Sequence, residues 1–427
     1  MKHFTAFFCF ILSFSLMAQT GTEGYYKDIF MDGGVSLTSR TSLAAADSLS
    51  LSLEYLATDD QDIQNDKIIG DVWDYNGALL YPDGEPRFRH IQTNGGAATS
   101  HGSSLTQAGR ERIRAFYYNG GCYTGCCAGA FIVSLNAQET DTNNSYYHIW
   151  PGRTQSTGLL DTYTGHFIEP GCPLLQFNDF GGDDYIDNLY HNGGCFAREF
   201  TDFPPETEVL LRFDYSGYTM HQKPSSWAYK KNAASGRLVV IGSHPEGVTS
   251  GERLELMKAM ILYAIDGQGE LSVKDTLQNG QTRNMDKSTE DNDPAYAKIG
   301  DRQYHHFAVD LPEGAAQFIV TLTGEPDYHL NLFVRQGEYA FQSNAAYSDT
   351  MSGSNKILTV GPVPPGTYYI SVECATTVVT AEQSWGYEYT DNMEVLDGVS
   401  YSIRSDWSLT DAPITNFYAA DTSDCNG

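Results

Sequence analysis

The chain has 427 residues, enough for two or three domains that each bury a core of their own. Its formal charge of -28, from 54 acidic against 26 basic side chains, argues against nucleic acid or anionic lipid as a partner. We read the acidic excess as a solvated surface rather than as an attraction for a cationic substrate.

The opening residues, MKHFTAFFCFILSFSLMAQTG, combine one lysine, an apolar run from Phe4 to Met17 and a small residue, Ala18, before Gln19. The run is too short to span a bilayer comfortably, so residues 1–18 read as a cleaved signal peptide and the protein as secreted, extracellular or periplasmic. No later segment approaches the roughly 20 apolar residues a spanning helix needs. Cys9 falls within the removed run. The other seven cysteines, Cys122, Cys126, Cys127, Cys172, Cys195, Cys374 and Cys425, are an odd set, which in an oxidising compartment leaves at least one thiol unpaired.

From residue 19 to 269 apolar strands alternate with helical patterns. DIFMDGGVSL reads as a strand and SLAAADSLSLSLEYL as a helix, while KIIGDV and FRHIQT read as strands. SLTQAGRERIRAFYY places Leu105, Ile113, Phe116 and Tyr117 on one helical face, and AGAFIVSLNA reads as a further helix. The stretch from Asn143 to Phe213 reads as long loops with short strands. RLVVIG suits a strand buried on both faces, and ERLELMKAMILYAI closes the region as a helix. Such alternation predicts an α/β fold with a mostly parallel sheet flanked by helices. Residues 270–300 are polar and read as a linker or a loosely packed edge. Beyond them QYHHFAVDL, AQFIVTLTG, YHLNLFVRQG, KILTVGPV and GTYYISVECA predict an antiparallel β-sandwich over 301–405, followed by a tail over 406–427.

The chemistry gathers at YTGCCAGAF. A nucleophile elbow needs a nucleophile on a sharp strand-to-helix turn with small neighbours, and Gly125, Cys127 and Gly129 meet that spacing where Cys126 does not. A helix starting after Cys127 favours the thiolate, and the Ala128 amide suits a developing oxyanion. Downstream, VVIGSHPEG brings His244 off the end of a buried strand, where open α/β sheets place their sites. Pro245 holds His244 extended, so Glu246 two residues on can reach the imidazole and orient it. The unexceptional alternatives are a disulfide for Cys127 and a loop histidine in His244. Cys172 and Cys195 flank the loop-rich stretch and are expected to bridge, with Cys122 as the competing partner; Cys374 is expected to pair with Cys425. Asp179, Asp183, Asp184 and Asp187 fit no standard calcium loop and read as a solvated acidic loop. His305 and His306, adjacent on a strand, face opposite ways. Neither metal nor cofactor is expected.

GCCAGA with SHPE downstream resembles the class I glutamine amidotransferase-like superfamily, whose fold is flavodoxin-like. More closely, TNGGAATSHGSSLTQAGRERIRAFYYNGGCYTGCCAGAF and LYHNGGCF resemble the domain found at the N-terminus of some biotin-protein ligases. The resemblance implies Cys127 as nucleophile, His244 as base, Glu246 as orienting acid, and Gly95 and Gly96 as the loop that offers a second oxyanion N–H. Cys126 departs from the aliphatic residue usual there. No biotinyl-AMP loop or phosphate-binding loop is present, so biotin ligase activity does not follow. YHLNLFVRQG with PPGTYYISVE resembles the pre-peptidase C-terminal domain, a sandwich appended to secreted hydrolases and often removed on maturation; His329 and Asn331 stand where that family has acids.

The expectation is therefore a secreted cysteine hydrolase of a C–N bond in a small amide, γ-glutamyl or peptide substrate. The alternatives are an inactive binding protein whose sandwich docks on an extracellular polymer, and a peptidase proper.

Overall fold

The computed structural model describes residues 21–409, apart from 35–36, 39–41, 58–59, 72–73, 138–140 and 201–202. The expected signal peptide and Cys425 lie outside the described residues.

The first strand, β1 (Lys27–Asp32), is buried along its whole length, with Phe30 in one core and Ile29 and Met31 in another. Helix α1 (Ala44–Ser48) is shorter than its sequence suggests. The LSLSLEYL that follows alternates with period two and turns into β2 (Leu53–Leu56) instead. KII, expected as a strand, forms the last turn of α2 (Gln61–Ile69), which Asp60 caps by accepting from the Asp62 and Ile63 amides. Then come β3 (Phe88–Thr93), α3 (Ala98–Ser104), α4 (Thr106–Tyr118), β4 (Cys122–Cys126) and the single turn α5 (Ala128–Ile132). The looped stretch holds β5 (Thr154–Ser156), β6 (Thr162–Ile168), β7 (Tyr185–His191), β8 (Cys195–Ala197) and β9 (Thr207–Asp214). Strands β10 (Pro224–Lys230) and β11 (Arg237–Ile241) and helix α6 (Glu252–Asp266) complete this half.

The second half is all β apart from short 3-10 turns. Its strands are β12 (Asp275–Thr276), β13 (Thr282–Met285), β14 (Tyr304–Leu311), β15 (Ala315–Gly324), β16 (Leu330–Gln336) and β17 (Tyr347–Asp349). They continue as β18 (Lys356–Val360), β19 (Gly366–Cys374), β20 (Val379–Gln383), β21 (Gly386–Asp391) and β22 (Tyr401–Leu409). Two sheets, β12-β14-β19-β16-β17 and β13-β22-β15-β18, share a core that includes Phe307, Val320 and Leu332. The 270–300 stretch expected as a linker thus gives one strand to each sheet, and the last strand runs on into the expected tail.

The molecule is mixed α/β. Its large sheet has the order β20-β21-β2-β1-β3-β4-β11-β10-β9-β6-β7, and only β2, β1, β3, β4 and β11 are mutually parallel. The sheet is therefore mixed rather than mostly parallel, because the looped stretch adds antiparallel strands at one end. At the other end the β20–β21 hairpin of the sandwich half joins through Leu56 and Gly386. Helices α1 and α6 pack on one face, α2, α4 and α5 on the other. No helix among the described residues is long and apolar enough to cross a membrane.

Buried charge fastens the halves together. Arg87 meets Asp301 through two nitrogens, at 3.1 and 3.0 Å, and stacks on Tyr26. Lys274 reaches Asp83 at 2.6 Å and Glu85 at 2.9 Å. Removing one partner of such a pair leaves an uncompensated buried charge, which costs roughly 3–5 kcal/mol.

The expected Cys172–Cys195 bridge is absent, and Cys122, Cys172, Cys195 and Cys374 are all free thiols among the described residues. The reason is topological. Cys172 and Cys122 belong to the core on the α6 face, whereas Cys195 belongs to the core on the opposite face. His305 and His306 do diverge, His305 to the Tyr401 hydroxyl and His306 to that of Ser371.

Candidate active site

Strand β4 ends at the carboxyl edge of the parallel strands, and the chain reverses at Cys127, whose φ of 50° and ψ of -101° are strained for a residue with a side chain. The flanking glycines make the turn possible. A Cβ on Gly125 would press into the Gly129 backbone at 2.7 Å, and one on Gly129 would strike the Thr93 carbonyl. The Cys127 amide donates to the Ile241 carbonyl at 2.9 Å, tying the turn to the end of β11. Ala128, as the first helical residue, has no carbonyl one turn back within α5 to take its N–H.

His244 follows β11 and is fixed through its main chain: its amide donates to Tyr190 at 2.8 Å and its carbonyl accepts from Arg253 at 3.0 Å. Its Nδ1 meets Glu246 Oε1 at 2.9 Å, so the two-residue spacing does bring the carboxylate to the ring. Gly95 completes the set. A Cβ there would collide with the imidazole and lie 3.5 Å from Cys127 Cβ, so only glycine leaves room for the ring beside Cys127. The Gly95 carbonyl accepts from the Thr38 amide and hydroxyl at 2.7 and 3.0 Å. Because the C=O and N–H of a trans peptide point opposite ways, the Gly96 N–H is directed away from Thr38.

Burial alone would discourage a charged imidazole at His244. The neighbouring Cys127 sulfur and the hydrogen-bonded Glu246 carboxylate outweigh it, and the pKa is pushed up to about 10. Meanwhile Nε2 of His244 has no closed hydrogen bond among the described residues, and the Cys127 sulfur is turned to the Asn192 carbonyl at 3.7 Å. The arrangement can hold a proton on the ring beside the Cys127 sulfur.

Cys126 has a different fate. It faces α6, 4.0 Å from Met257 Sδ and 3.8 Å from Gln92 Nε2. Burial, then the charge and hydrogen bonding of Glu246, hold it well above the ordinary thiol range, so it stays protonated beneath the carboxylate.

Several neighbours were not singled out from sequence. Asn192 and Tyr190 lie in the LYHNGGCF run, where the glycine pair was the available signal. A buried carboxylate, Asp32, ends β1 and accepts from Thr93 and Tyr147 at 3.0 and 2.8 Å and pairs with His101 Nε2 at 3.1 Å. That knot anchors the strand end from which Gly95 departs. Nothing in the spacing of Asp32, His101 and Tyr147 foretold it.

No family model matches the chain, and no curated protein matches it. Solved structures similar to parts of it include a glutamine amidotransferase, at 12% identity over 52% of this chain and 90% of that one, with a TM-score of 0.34. A ThuA-like protein from Bacteroides uniformis is similar at 12% identity over 56% and 92% of the two chains, TM-score 0.34. The pre-peptidase C-terminal domain of a Bacillus anthracis collagenase is similar at 11% identity over 32% and 100%, TM-score 0.21. Similarity this low assigns no activity, so function has to be argued from the site itself.

Proposed function

We propose that this chain is a secreted cysteine hydrolase of C–N bonds, with Cys127 as nucleophile, His244 as acid and base, and Glu246 as the group that orients the ring. The reading rests on one observation above all: a cysteine on a strained elbow and an imidazole meet at Gly95, and the ring's Nδ1 is 2.9 Å from a carboxylate. The parallel strands run β2-β1-β3-β4-β11, the flavodoxin-like order, and the site lies at their carboxyl edge. This supports a class I glutamine amidotransferase-like fold joined to a pre-peptidase-like sandwich.

In the reaction the sulfur attacks the substrate carbonyl carbon, and the oxyanion is met by the N–H groups of Ala128 and Gly96. The imidazolium of His244 gives its proton to the leaving amine as the C–N bond breaks. Water then attacks the thioester, its proton returns to His244, and the C–S bond opens to restore the sulfur. A small amide, γ-glutamyl or peptide bond is the substrate, and neither metal nor cofactor takes part in these steps.

The test is a panel of amide, γ-glutamyl and peptide substrates offered to the wild-type chain and to Cys127→Ala. Hydrolysis lost by about 10³-fold or more in the variant is expected; equal rates would overturn the reading. The Asn192 carbonyl against the sulfur favours one alternative, an inactive binding protein on the same fold. Under that alternative the wild type hydrolyses nothing in the panel.

A further inference from the structure

Beyond the triad, rings stand in a row on the outward face of the β6–β7 hairpin. Tyr163 pairs across the strands with Tyr190, and Tyr190 pairs with His244, so three rings share one face. Their centroids are 5.7 Å apart for Tyr163 and Tyr190 and 5.6 Å for Tyr190 and His244. Phe167 and Tyr185, another cross-strand pair at 5.5 Å, continue the face along the hairpin. Gly165 lies between, and a Cβ there would collide with the Tyr185 hydroxyl, so glycine keeps the surface flat.

These rings do not fill a core. The alternate residues Thr164, His166 and Ile168 are buried, while Tyr163 is 57% and Phe167 38% exposed. Exposed aromatic faces beside a reactive centre mark a place where a ligand lies. The phenol ends are tethered to carboxylates: Tyr190 donates to Asp161 at 3.1 Å and Tyr185 to Asp214 at 2.9 Å. The tethers fix two of the rings, each meeting its cross-strand partner edge to face, while Tyr163 and Phe167 keep exposed surface, and a carboxylate has acceptor capacity beyond one bond.

We infer that this row binds a neutral glycan carried on the amide that Cys127 opens. A pyranose offers a flat C–H face to a ring and a rim of hydroxyl donors to nearby carboxylates, and both complements are present. The net charge of -28 disfavours an acidic polysaccharide. An extended peptide would seek pockets and a free strand edge, and β7, the last strand of the sheet, has two backbone groups already taken: the Tyr190 carbonyl accepts from the His244 amide and the Asp187 amide donates to Glu252. The inference rests on the hydrolase reading for the position of the scissile bond and adds the class of substrate.

Calorimetric titration of Cys127→Ala with chitohexaose, beside an equally long Pro- and Tyr-rich peptide, tests it. Chitohexaose is expected to bind, Tyr163→Ala in that background to weaken it about tenfold, and Tyr163→Phe to retain it; thermal unfolding confirms that each variant folds. Peptide binding in place of saccharide binding, or saccharide affinity indifferent to Tyr163→Ala, would overturn the inference. Wild-type hydrolysis of the amide panel without saccharide binding removes the glycan and keeps the hydrolase. Saccharide binding through Tyr163 without hydrolysis by the wild type removes the hydrolase and keeps the row.

Discussion

Two histidines, one half-buried and one fully buried, each lie against a carboxylate and behave in opposite ways. His244 lies 2.9 Å from Glu246 and is pushed up to about 10; His305 lies 3.4 Å from Asp83 and is pushed down to about 4. At the junction of the halves burial dominates, and Lys274 spends the charge of Asp83 before the imidazole can use it. At the strand edge no cation intervenes, and Glu246 and Cys127 both favour the proton on the ring. The same pair of residue types thus holds a neutral ring at the joint of the halves and a protonated one at the strand edge. Burial opposes the charged ring in both places: at His305 it prevails, with Lys274 adding to it, and at His244 Cys127 and Glu246 outweigh it.

The strongest way to break the comparison is Glu246→Gln. It removes one of the two supports of the imidazolium, and hydrolysis should fall about 10⁴-fold, as loss of an orienting carboxylate does elsewhere. A steady-state rate near that of the wild type would show that Glu246 does not hold the ring. Next in size is Lys274→Met, which takes the lysine from the buried Asp83 and leaves Gln303 and His305 beside it. Stability by urea unfolding should drop by roughly 3–5 kcal/mol, and the His305 pKa should rise because its repelling cation is gone.

Acid should expose the same contrast. His90, His166, His191, His305 and His306 are all held below the ordinary 6.5, chiefly by burial, at about 3, 3, 4, 4 and 3. The unfolded chain therefore takes these protons first, and the stability gained by keeping the rings neutral is full above about pH 6.5 and lost as pH falls towards 3. His244 has the opposite sign: its contribution is full below about pH 6.5 and fades as pH rises through about 10. Urea midpoints should decline steadily from pH 7 to pH 4, and a flat profile would contradict the burial argument. The smallest effect belongs to Cys126→Val, which keeps the volume under Glu246. It should change stability by about 1 kcal/mol or less, and mass mapping after iodoacetamide should still place the label on Cys127.

Much of this site was legible in the sequence, because close backbone approach has a signature. Gly125 and Gly129 flank the elbow cysteine where a Cβ would not fit, and His244 and Glu246 are spaced as an extended segment requires. The hairpin that joins the sandwich half to the large sheet was not legible, since one residue pair, Leu56 and Gly386, makes the join. Nor was the fate of Cys172 and Cys195, because the count of thiols says nothing about which face of a sheet each occupies. KII and LSLSLEYL were misread for a related reason: short apolar runs fit either period, and here the Asp60 cap and the alternation of serine with leucine decided.

The claim that everything else depends on is that the His244 ring keeps its proton beside a sulfur nucleophile. Nitrogen-15 NMR titration of the imidazole measures this directly. The wild-type ring should remain protonated until about pH 10 and titrate markedly lower in Cys127→Ala; an ordinary midpoint near 6.5, unchanged by that substitution, would contradict the account.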